Sequence, residues 1–180
     1  MDAAKCEMNI RQYETDAATY DFRQLDESAA VPIRELFAGV FSKEPWNDDW
    51  SDENQLRLYI QDLIGQSNSL TFGLYQGEAL IGISMGHIKH WYSGTEYCID
   101  ELCISTEKQG HGVGTIFIEE IEKACKALGL AYILLMTETD VPAFAFYKKR
   151  GFYQLEHNTA FAKQLGNERN ERPLDAAEKM

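Results

Sequence analysis

Apolar residues change their spacing along the chain, and these changes predict the order of its elements. Alternating apolar positions predict strands, whereas apolar positions three and four residues apart predict amphipathic helices. The pattern predicts a strand, two helices, three strands, a helix, a strand, a helix and two closing strands. In that order they cover 20–25, 26–41, 51–64, 69–75, 79–92, 96–105, 113–128, 131–138, 142–150, 152–157 and 159–165. Ser28 and Ser51 are the expected caps of the first two helices.

The order βαα–βββ–αβαββ predicts an α/β fold, a mixed sheet with helices on its faces, in one domain. The apolar run 131–138 is typical of a central strand that is buried on both faces. Residues 1–19 are polar and aperiodic, so they are expected to form an N-terminal extension. The domain is then expected over 20–165, followed by a charged C-terminal tail over 166–180.

Composition and charge exclude several classes of protein. Hydrophobic residues make up 44% of the chain and aromatic residues 12%, which is a globular composition. The formal net charge of −12 argues against a general nucleic-acid binder, because phosphate neutralisation needs clustered Lys and Arg. The excess of acid fits a cationic substrate, and it fits simple solubility equally well.

The four cysteines, Cys6, Cys98, Cys103 and Cys125, form no C-x-x-C pair. This spacing predicts neither a zinc site nor a disulfide framework. No apolar run reaches the roughly 18 residues of a membrane span, and the N-terminus lacks the apolar centre of a signal peptide. We therefore expect a cytoplasmic protein that needs no metal and has neither a membrane nor a nucleic acid as partner.

Three glycines alternate with other residues in Glu107–Thr115, EKQGHGVGT, just ahead of a predicted helix. A strand that leads through a glycine turn into a helix N-terminus favours an anion such as phosphate. A dinucleotide fingerprint or a P-loop starting at Gly110 would need glycine at position 115, where the chain has Thr115. Neither nucleotide loop is present, and a glycine turn without a ligand remains the alternative.

The segment Gln109–Gly114 matches the pattern Q/R-x-x-G-x-G/A, and it resembles the acyl-CoA loop of the GNAT superfamily of N-acetyltransferases. The segment Thr139–Phe152 resembles the second signature of that family, N-x-x-A-x-x-F-Y-x-x-x-G-F, with Asp140 in place of the usual Asn. The resemblance extends over 20–165 and implies a mostly antiparallel sheet of the GNAT type. An ionised Asp140 can accept a hydrogen bond but cannot donate one, so this one contact with the cofactor is in doubt.

The resemblance also implies acetyl-CoA as the cofactor. The backbone N–H groups of the glycine loop would bind its diphosphate, and the strand backbone around 102–104 would pair with its pantetheine arm. The N–H group of Cys103 or Ile104 would then face the oxyanion. The cofactor-binding residues implied in this way are Leu102, Cys103, Ile104, Gln109, Gly110, His111, Gly112, Val113, Gly114, Thr115, Asp140, Ala143, Phe146 and Tyr147.

The same resemblance places the phenol of Tyr147 beside the thioester sulfur, where it can protonate the leaving thiolate. The alternative is that Tyr147 only packs against the cofactor. For the catalytic base, Asp100 and Glu101 point to opposite faces of a regular strand, so only one of them is expected to face the site. Glu101 is preferred, because similar aminoglycoside-type acetyltransferases carry an acid there. A bulge in the strand would exchange the two.

Other roles stay open for these groups. Glu101 could form a structural ion pair with Lys89 or Arg150, or a water chain could deprotonate the amine while the carboxylate only attracts it. Cys103 could carry the acetyl group covalently, although its apolar neighbours favour a buried core residue.

The polar loop between the first two helices, KEPWNDDWSDE, interleaves carboxylates with tryptophans. Carboxylates attract an ammonium group and aromatic faces add cation–π contacts. Trp46, Asp48, Asp49 and Trp50 are therefore the expected substrate-binding residues, together with Asp100 of the strand. Helix capping explains the same acids equally well. The loop and the acidic strand are similar to the aminoglycoside 6′-N-acetyltransferase-like branch of the family.

We expect an enzyme that transfers an acetyl group to the primary amine of a small cationic substrate, such as an amino sugar or a polyamine, by direct attack in a ternary complex. One alternative is an acetyltransferase that acts on protein lysines or N-termini. Another, from a different class, is a non-catalytic acyl-CoA sensor. Similar domains often dimerise through their closing strands, so a homodimer also stays open.

Overall fold

A computed structural model describes residues 11–15, 18–163 and 165. Its strands are β1 (Arg11–Thr15), β2 (Ala18–Leu25), β3 (Ser69–Gln76), β4 (Ala79–Trp91), β5 (Gly94–Ile104) and β6 (Tyr132–Leu135). Its helices are α1 (Ala30–Phe41), α2 (Glu53–Ile64), α3 (Val113–Ala127) and α4 (Pro142–Lys149). The chain falls into two compact units, one up to Phe144 and one from Ala145 onward. The sheet and the first three helices belong to the first unit.

The six strands form one sheet in the order β1-β2-β3-β4-β5-β6. Neighbouring strands are antiparallel except for β5 and β6, which are parallel. This arrangement confirms the predicted α/β fold with a mixed, mostly antiparallel sheet. The helices of the described chain also follow the predicted order, although none of them has the length and apolar character that crossing a membrane requires.

Helices cover both faces of the sheet. On one face, α1 and α2 bury residues at helical spacing against β4 and β5, in a core that contains Ile33, Phe37, Val40, Phe41, Leu56, Ile60, Ile64, Ile83, Met85 and Cys103. On the other face, the ring of Phe117 in α3 lies 6.0 Å from that of Phe22 in β2. We name the polar segment KEPWNDDWSDE, which leads into α2, the acceptor loop. The acceptor loop and the glycine loop are therefore attached to helices on opposite faces of the sheet.

The first two helix starts differ from the predicted caps. Asp26, rather than Ser28, accepts the hydrogen bonds of a 3₁₀ turn at Glu27–Ala29 that precedes α1. Asp52, rather than Ser51, caps α2 by accepting from the N–H groups of Asn54 and Gln55. Both starts use Oδ1 of an aspartate, which accepts from backbone N–H groups of the first turn.

Two features at the N-terminal side of the sheet were not predicted. β1 pairs with β2 inside the segment that was expected to be an aperiodic extension, and β2 begins at Ala18. β1 has five mostly polar residues and therefore no alternation of apolar positions that would predict a strand. Residues 1–10 and Cys6 lie outside the described residues, and so does the tail 166–180. The domain boundaries therefore stay a prediction.

The C-terminal strand predictions were wrong. The run 131–138 gives β6, which forms an edge of the described sheet and is not a central strand buried on both faces. The described residues 152–163 contain no strand, although 152–157 and 159–165 were expected to close the sheet. Apolar side chains in this segment, such as Phe161, are exposed. An apolar run alone does not determine whether a strand finds a partner on its second edge.

β5 changes its pairing along its length. β6 pairs only with Glu96–Ile99, so the second half of β5 has no described strand on that side. Towards β4, Met85 pairs with Glu101 and Gly86 pairs with Ile99, which leaves Asp100 as the extra residue of a β-bulge. At the bulge the two backbones approach closely, because a Cβ on Gly86 would lie 2.1 Å from the carbonyl oxygen of Cys98.

We predict that Gly86→Ala destabilises the protein by about 1–3 kcal/mol or more, because the added methyl group forces β4 and β5 apart. The matched control is Gly39→Ala on the exposed side of α1, where a Cβ meets no described atom within 4 Å. Replacing a helical glycine there is expected to stabilise by roughly 0.5–1 kcal/mol. Urea unfolding measures both; equal effects would contradict the close approach at the bulge.

Candidate active site

The glycine loop runs from a 3₁₀ turn at Thr106–Lys108 to Val113, the first residue of α3. Gly110 and Gly112 have φ angles of 75° and 80°, in the left-handed region that other residues rarely adopt. A Cβ at either position would meet no atom of the described chain within 4 Å. Glycine is therefore needed for the path of the backbone, and side chains leave that backbone uncovered.

The free N–H groups of the loop lie at the start of α3. Gly112 occupies the N-cap position, and no side chain caps the helix there. The N–H of Thr115 already donates to the carbonyl of Gly112 at 3.0 Å, and that of Gln109 donates to Thr106 at 3.3 Å. The backbone donors that remain for an anion are those from Gly110 to Gly114. Together with the positive end of the helix dipole, they suit a phosphate or diphosphate.

Side chains of the loop fix its attachment to β5. The Nε2 of Gln109 donates to the carbonyl of Ile104 at 2.9 Å, which holds the loop against the end of the strand. Nδ1 of His111 lies 2.7 Å from the carbonyl of Gln109, so this imidazole is engaged within the loop. These contacts give the two motif residues a structural part in shaping the anion site.

The strand segment Leu102–Ile104 has a backbone edge that no described strand covers, as the resemblance implies for pantetheine. The side chain of Cys103 instead lies in the core between the sheet and the first two helices. Burial, and then the charge of Glu101, raise the pKa of its thiol far above the ordinary value. A thiol held protonated in this way is a poor nucleophile, which favours the core role over a covalent one.

The bulge brings Asp100 and Glu101 towards one face of the sheet. Glu101 pairs with Met85, and Nδ1 of His87, two residues along the same strand and therefore on the same face, lies 3.0 Å from Oδ2 of Asp100. The expectation that only one of the two acids can face the site assumed a regular strand, and it is wrong for this reason. Both carboxylates lie on the side that carries α1 and α2.

Glu101 is partly buried and is held by a tyrosine. The hydroxyl of Tyr59 in α2 donates to Oε1 of Glu101 at 2.5 Å. Desolvation by burial raises the pKa of Glu101 from 4.5 to about 7, the bond from Tyr59 acts in the opposite direction, and the charges of Asp48 and Asp100 raise the pKa further. Lys89 pairs with Glu96 at 3.6 Å, so the structural ion pair considered for Glu101 is not formed with this lysine.

The acceptor loop reaches the same place through aromatic contacts. The ring of Trp50 stacks on Tyr59 at 5.0 Å, and its Nε1 donates to Oδ2 of Asp48 at 3.4 Å. Trp46 packs on Phe41 at 5.6 Å and belongs to the edge of the core. Asp49 accepts from the N–H of Ser51, the turn-forming role that was the alternative for these acids.

Of the predicted substrate residues, Asp48, Trp50 and Asp100 therefore gather around Glu101, whereas Trp46 and Asp49 have structural contacts. Tyr59 was missed by the sequence analysis. Its signal was its position three residues after Leu56, at helical spacing on the buried side of α2. A tyrosine on such a stripe normally indicates a core residue. Only the hydrogen bond from Tyr59 to Glu101, which lies 42 residues later in the chain, shows its link to the acidic cluster.

The second motif spans the division between the two units. Asp140 and Ala143 belong to the first unit, where Pro142 begins α4. In the second unit the ring of Tyr147 lies edge-on to Phe146 at 5.4 Å and to Phe152 at 5.4 Å. The predicted roles of these residues towards the cofactor and the leaving thiolate stay predictions.

Comparison with protein families identifies this architecture. The model of the acetyltransferase (GNAT) family matches residues 30–152, more than half of the chain. The chain belongs to the GNAT family. The match includes the acceptor loop, the bulged strand, the glycine loop and the second motif, so the resemblance seen in the sequence is confirmed at the level of the family. Enzymes of the GNAT family take the acetyl group from acetyl-CoA.

Individual relatives are distant. An uncharacterized protein of Bacillus subtilis (strain 168), YxbD, is 29% identical over 90 residues, which are 46% of this chain and 57% of that protein. The chain thus spans little more than half the length of this curated relative.

Solved structures of aminoglycoside acetyltransferases share the fold. One is the aminoglycoside acetyltransferase meta-AAC0020 from an uncultured soil metagenomic sample, in complex with sisomicin. It has a TM-score of 0.65 at 19% identity, over 82% of this chain and 97% of that one. The aminoglycoside N-acetyltransferase AAC(6′)-Iy in complex with CoA has a TM-score of 0.65 at 14% identity, over 84% and 99%.

We predict that Gly112→Ala weakens binding of coenzyme A to this GNAT domain by about tenfold, because a left-handed conformation costs an alanine roughly 1–2 kcal/mol and the loop relaxes away from its anion-binding path. Gly129→Ala is the matched control, since Gly129 has a φ of 72° and open surroundings at the far end of α3. Calorimetric titration should show weaker binding only for Gly112→Ala. Equal weakening by both would contradict a diphosphate role for the loop.

We predict a stability effect of Glu101 with a defined sign. Its folded-state pKa is raised, so its contribution to stability is fully present below pH 4.5 and is lost as pH rises through about 7. Glu101→Gln should therefore raise the free energy of unfolding above that of wild type by more at pH 8 than at pH 5. The difference between the two pH values should reach up to about 3 kcal/mol. The measurement is urea unfolding of wild type and variant at both pH values, with Glu78→Gln in the exposed β3–β4 turn as control. A pH-independent difference would contradict the raised pKa.

Proposed function

We propose that the protein is an acetyl-CoA-dependent N-acetyltransferase that acts on a primary amine of a small cationic substrate, such as an amino sugar or a polyamine. The observation that carries this proposal is the acidic cluster at the bulge. Asp100 and Glu101 lie on the strand that leads directly into the glycine loop, and Asp48 lies close enough to raise the pKa of Glu101. A cation-binding site and an anion-binding loop thus share one structural element.

The residues present suit the donor. The N–H groups from Gly110 to Gly114 would hold the diphosphate, and the uncovered backbone of Leu102–Ile104 would hold the pantetheine arm. Acetyl-CoA supplies an acetyl group activated as a thioester. The free cysteines of the described chain, Cys98, Cys103 and Cys125, are in keeping with a reducing, cytoplasmic compartment.

Proton transfer is the part of the reaction that Glu101 performs. An ammonium group with a pKa of about 10.4 must lose a proton before its nitrogen can attack. A carboxylate whose pKa lies near 7 is a better base at neutral pH than one at its ordinary value, because it holds the accepted proton more firmly. Acetyl transfer to that nitrogen would release the thiolate of coenzyme A, and the phenol of Tyr147 is the group assigned to protonate it.

The acceptor class follows from charge and aromatic surface. Asp48 and Asp100 are exposed acids beside Glu101, and Trp50 and Tyr59 present stacked rings next to them. Carboxylates with aromatic faces bind ammonium groups and sugar rings. The complex of the soil acetyltransferase with sisomicin, an enzyme of the same fold, supports an aminoglycoside-like amine as the first candidate.

A thiol-release assay tests the proposal. The protein is mixed with acetyl-CoA and, separately, with sisomicin, spermidine and a lysine-containing peptide, and free thiol is followed with a chromogenic disulfide. We expect release with the amino sugar or the polyamine and little release with the peptide. Preference for the peptide would favour a protein acetyltransferase, and tight coenzyme A binding without release from any amine would favour a sensor.

We predict that Tyr147→Phe lowers kcat by about 10²-fold, the usual contribution of a general acid, and leaves the Kd for coenzyme A within a factor of about two. Tyr153→Phe is the matched control, because it removes the same hydroxyl from an exposed tyrosine nearby in the sequence. Unchanged thiol release in Tyr147→Phe would show that the acid assignment is wrong.

A further inference from the structure

We propose that Tyr59 is the positioning residue for Glu101, and that Trp50 connects this tyrosine to the acceptor loop. Tyr59 holds one carboxylate oxygen so that the other faces the incoming ammonium group. The inference rests on the proposed function, since it assigns a partner to the base of that reaction. Its first observation is the hydrogen bond of 2.5 Å between the Tyr59 hydroxyl and Oε1 of Glu101.

The ring of Tyr59 is fixed by its neighbours. It stacks on Trp50 at 5.0 Å with an interplanar angle of 28°, and it lies 5.6 Å from the ring of Phe37 in α1. A ring confined on two sides has little freedom to turn, so its hydroxyl is presented to Glu101 from one direction. A base must lie within hydrogen-bond reach of the proton that it abstracts, and this constraint supplies that orientation.

Tyr59 also counteracts the effect that the neighbouring charges have on the pKa of Glu101. The groups that face this carboxyl are Tyr59 from α2, Asp48 from the acceptor loop and Asp100 from the same strand, with His87 of β4 bound to Asp100. Both aspartates disfavour a second negative charge, whereas a donated hydrogen bond favours the carboxylate. Burial and the bond to Glu101 raise the pKa of Tyr59 itself, so its hydroxyl stays protonated as a donor throughout the neutral range.

The contacts of Trp50 extend this arrangement to the acceptor loop. One face of the indole covers Tyr59, while its N–H points to Oδ2 of Asp48. Asp48 is exposed and is one of the carboxylates expected to meet the ammonium group. Asp48, Trp50 and Tyr59 therefore form a continuous series of contacts that leads from the acceptor loop to Glu101.

The test is Tyr59→Phe, which keeps the ring and its packing but removes the donor. We expect the acidic limb of the pH profile of kcat/KM to move by about one pH unit to higher pH. At pH 6 kcat/KM then falls about tenfold, and the loss shrinks as pH rises past the new midpoint. Tyr75→Phe is the matched control, because Tyr75 lies on β3 under Arg23 and has no part in the site.

A second readout does not depend on turnover. The side-chain carboxyl carbon of Glu101, labelled with ¹³C and assigned through Glu101→Gln, is titrated by NMR in wild type, Tyr59→Phe and Tyr75→Phe. An upward move of the midpoint in Tyr59→Phe alone supports the inference, even if no amine in the assay is acetylated and the proposed function fails. An unchanged midpoint, or a loss of activity that is equal at every pH, overturns it.

Discussion

Asp100 is paired with no residue of β4 in the strand register, and this one extra residue determines which way two consecutive acids point. In a regular strand they would face opposite sides of the sheet. The bulge turns both towards the layer formed by α1 and α2, where Tyr59 and the acceptor loop meet them. Gly86 permits the bulge, since a side chain there would collide with the backbone of β5. The acidic site therefore depends on backbone geometry before it depends on any charge.

The site places like charges together in a partly buried position, which opposes folding and suits the proton transfer that we propose for Glu101. Burial and the neighbouring aspartates raise the pKa of Glu101 to about 7, while the hydrogen bond from Tyr59 limits this rise. The result is a carboxyl that can accept a proton from an ammonium group and later release it at neutral pH. The free-energy cost of such a group is commonly offset elsewhere in a structure. Here the core that α1 and α2 form against β4 offsets it.

Local signals in the sequence predicted the backbone of the glycine loop and the elements around it. Gly110 and Gly112 adopt the left-handed conformation that glycine favours, and the strands and helices around them follow from apolar spacing. Features that depend on pairing were not predictable in this way. The bulge at Asp100, the bond from Tyr59 to Glu101 and the edge position of β6 all arise from contacts between segments distant in sequence. The apolar run in 152–157 resembled a strand, but periodicity does not supply a partner strand.

In the proposed reaction the amine attacks acetyl-CoA directly, in a site organised by the bulge. The burial of Cys103 and its raised pKa argue against a covalent acetyl-enzyme on this strand. Initial rates of thiol release, with acetyl-CoA and the best amine both varied, test this most directly. Direct attack within a ternary complex predicts double-reciprocal lines that intersect. Parallel lines, the pattern of a ping-pong reaction through an acetylated protein, would contradict it.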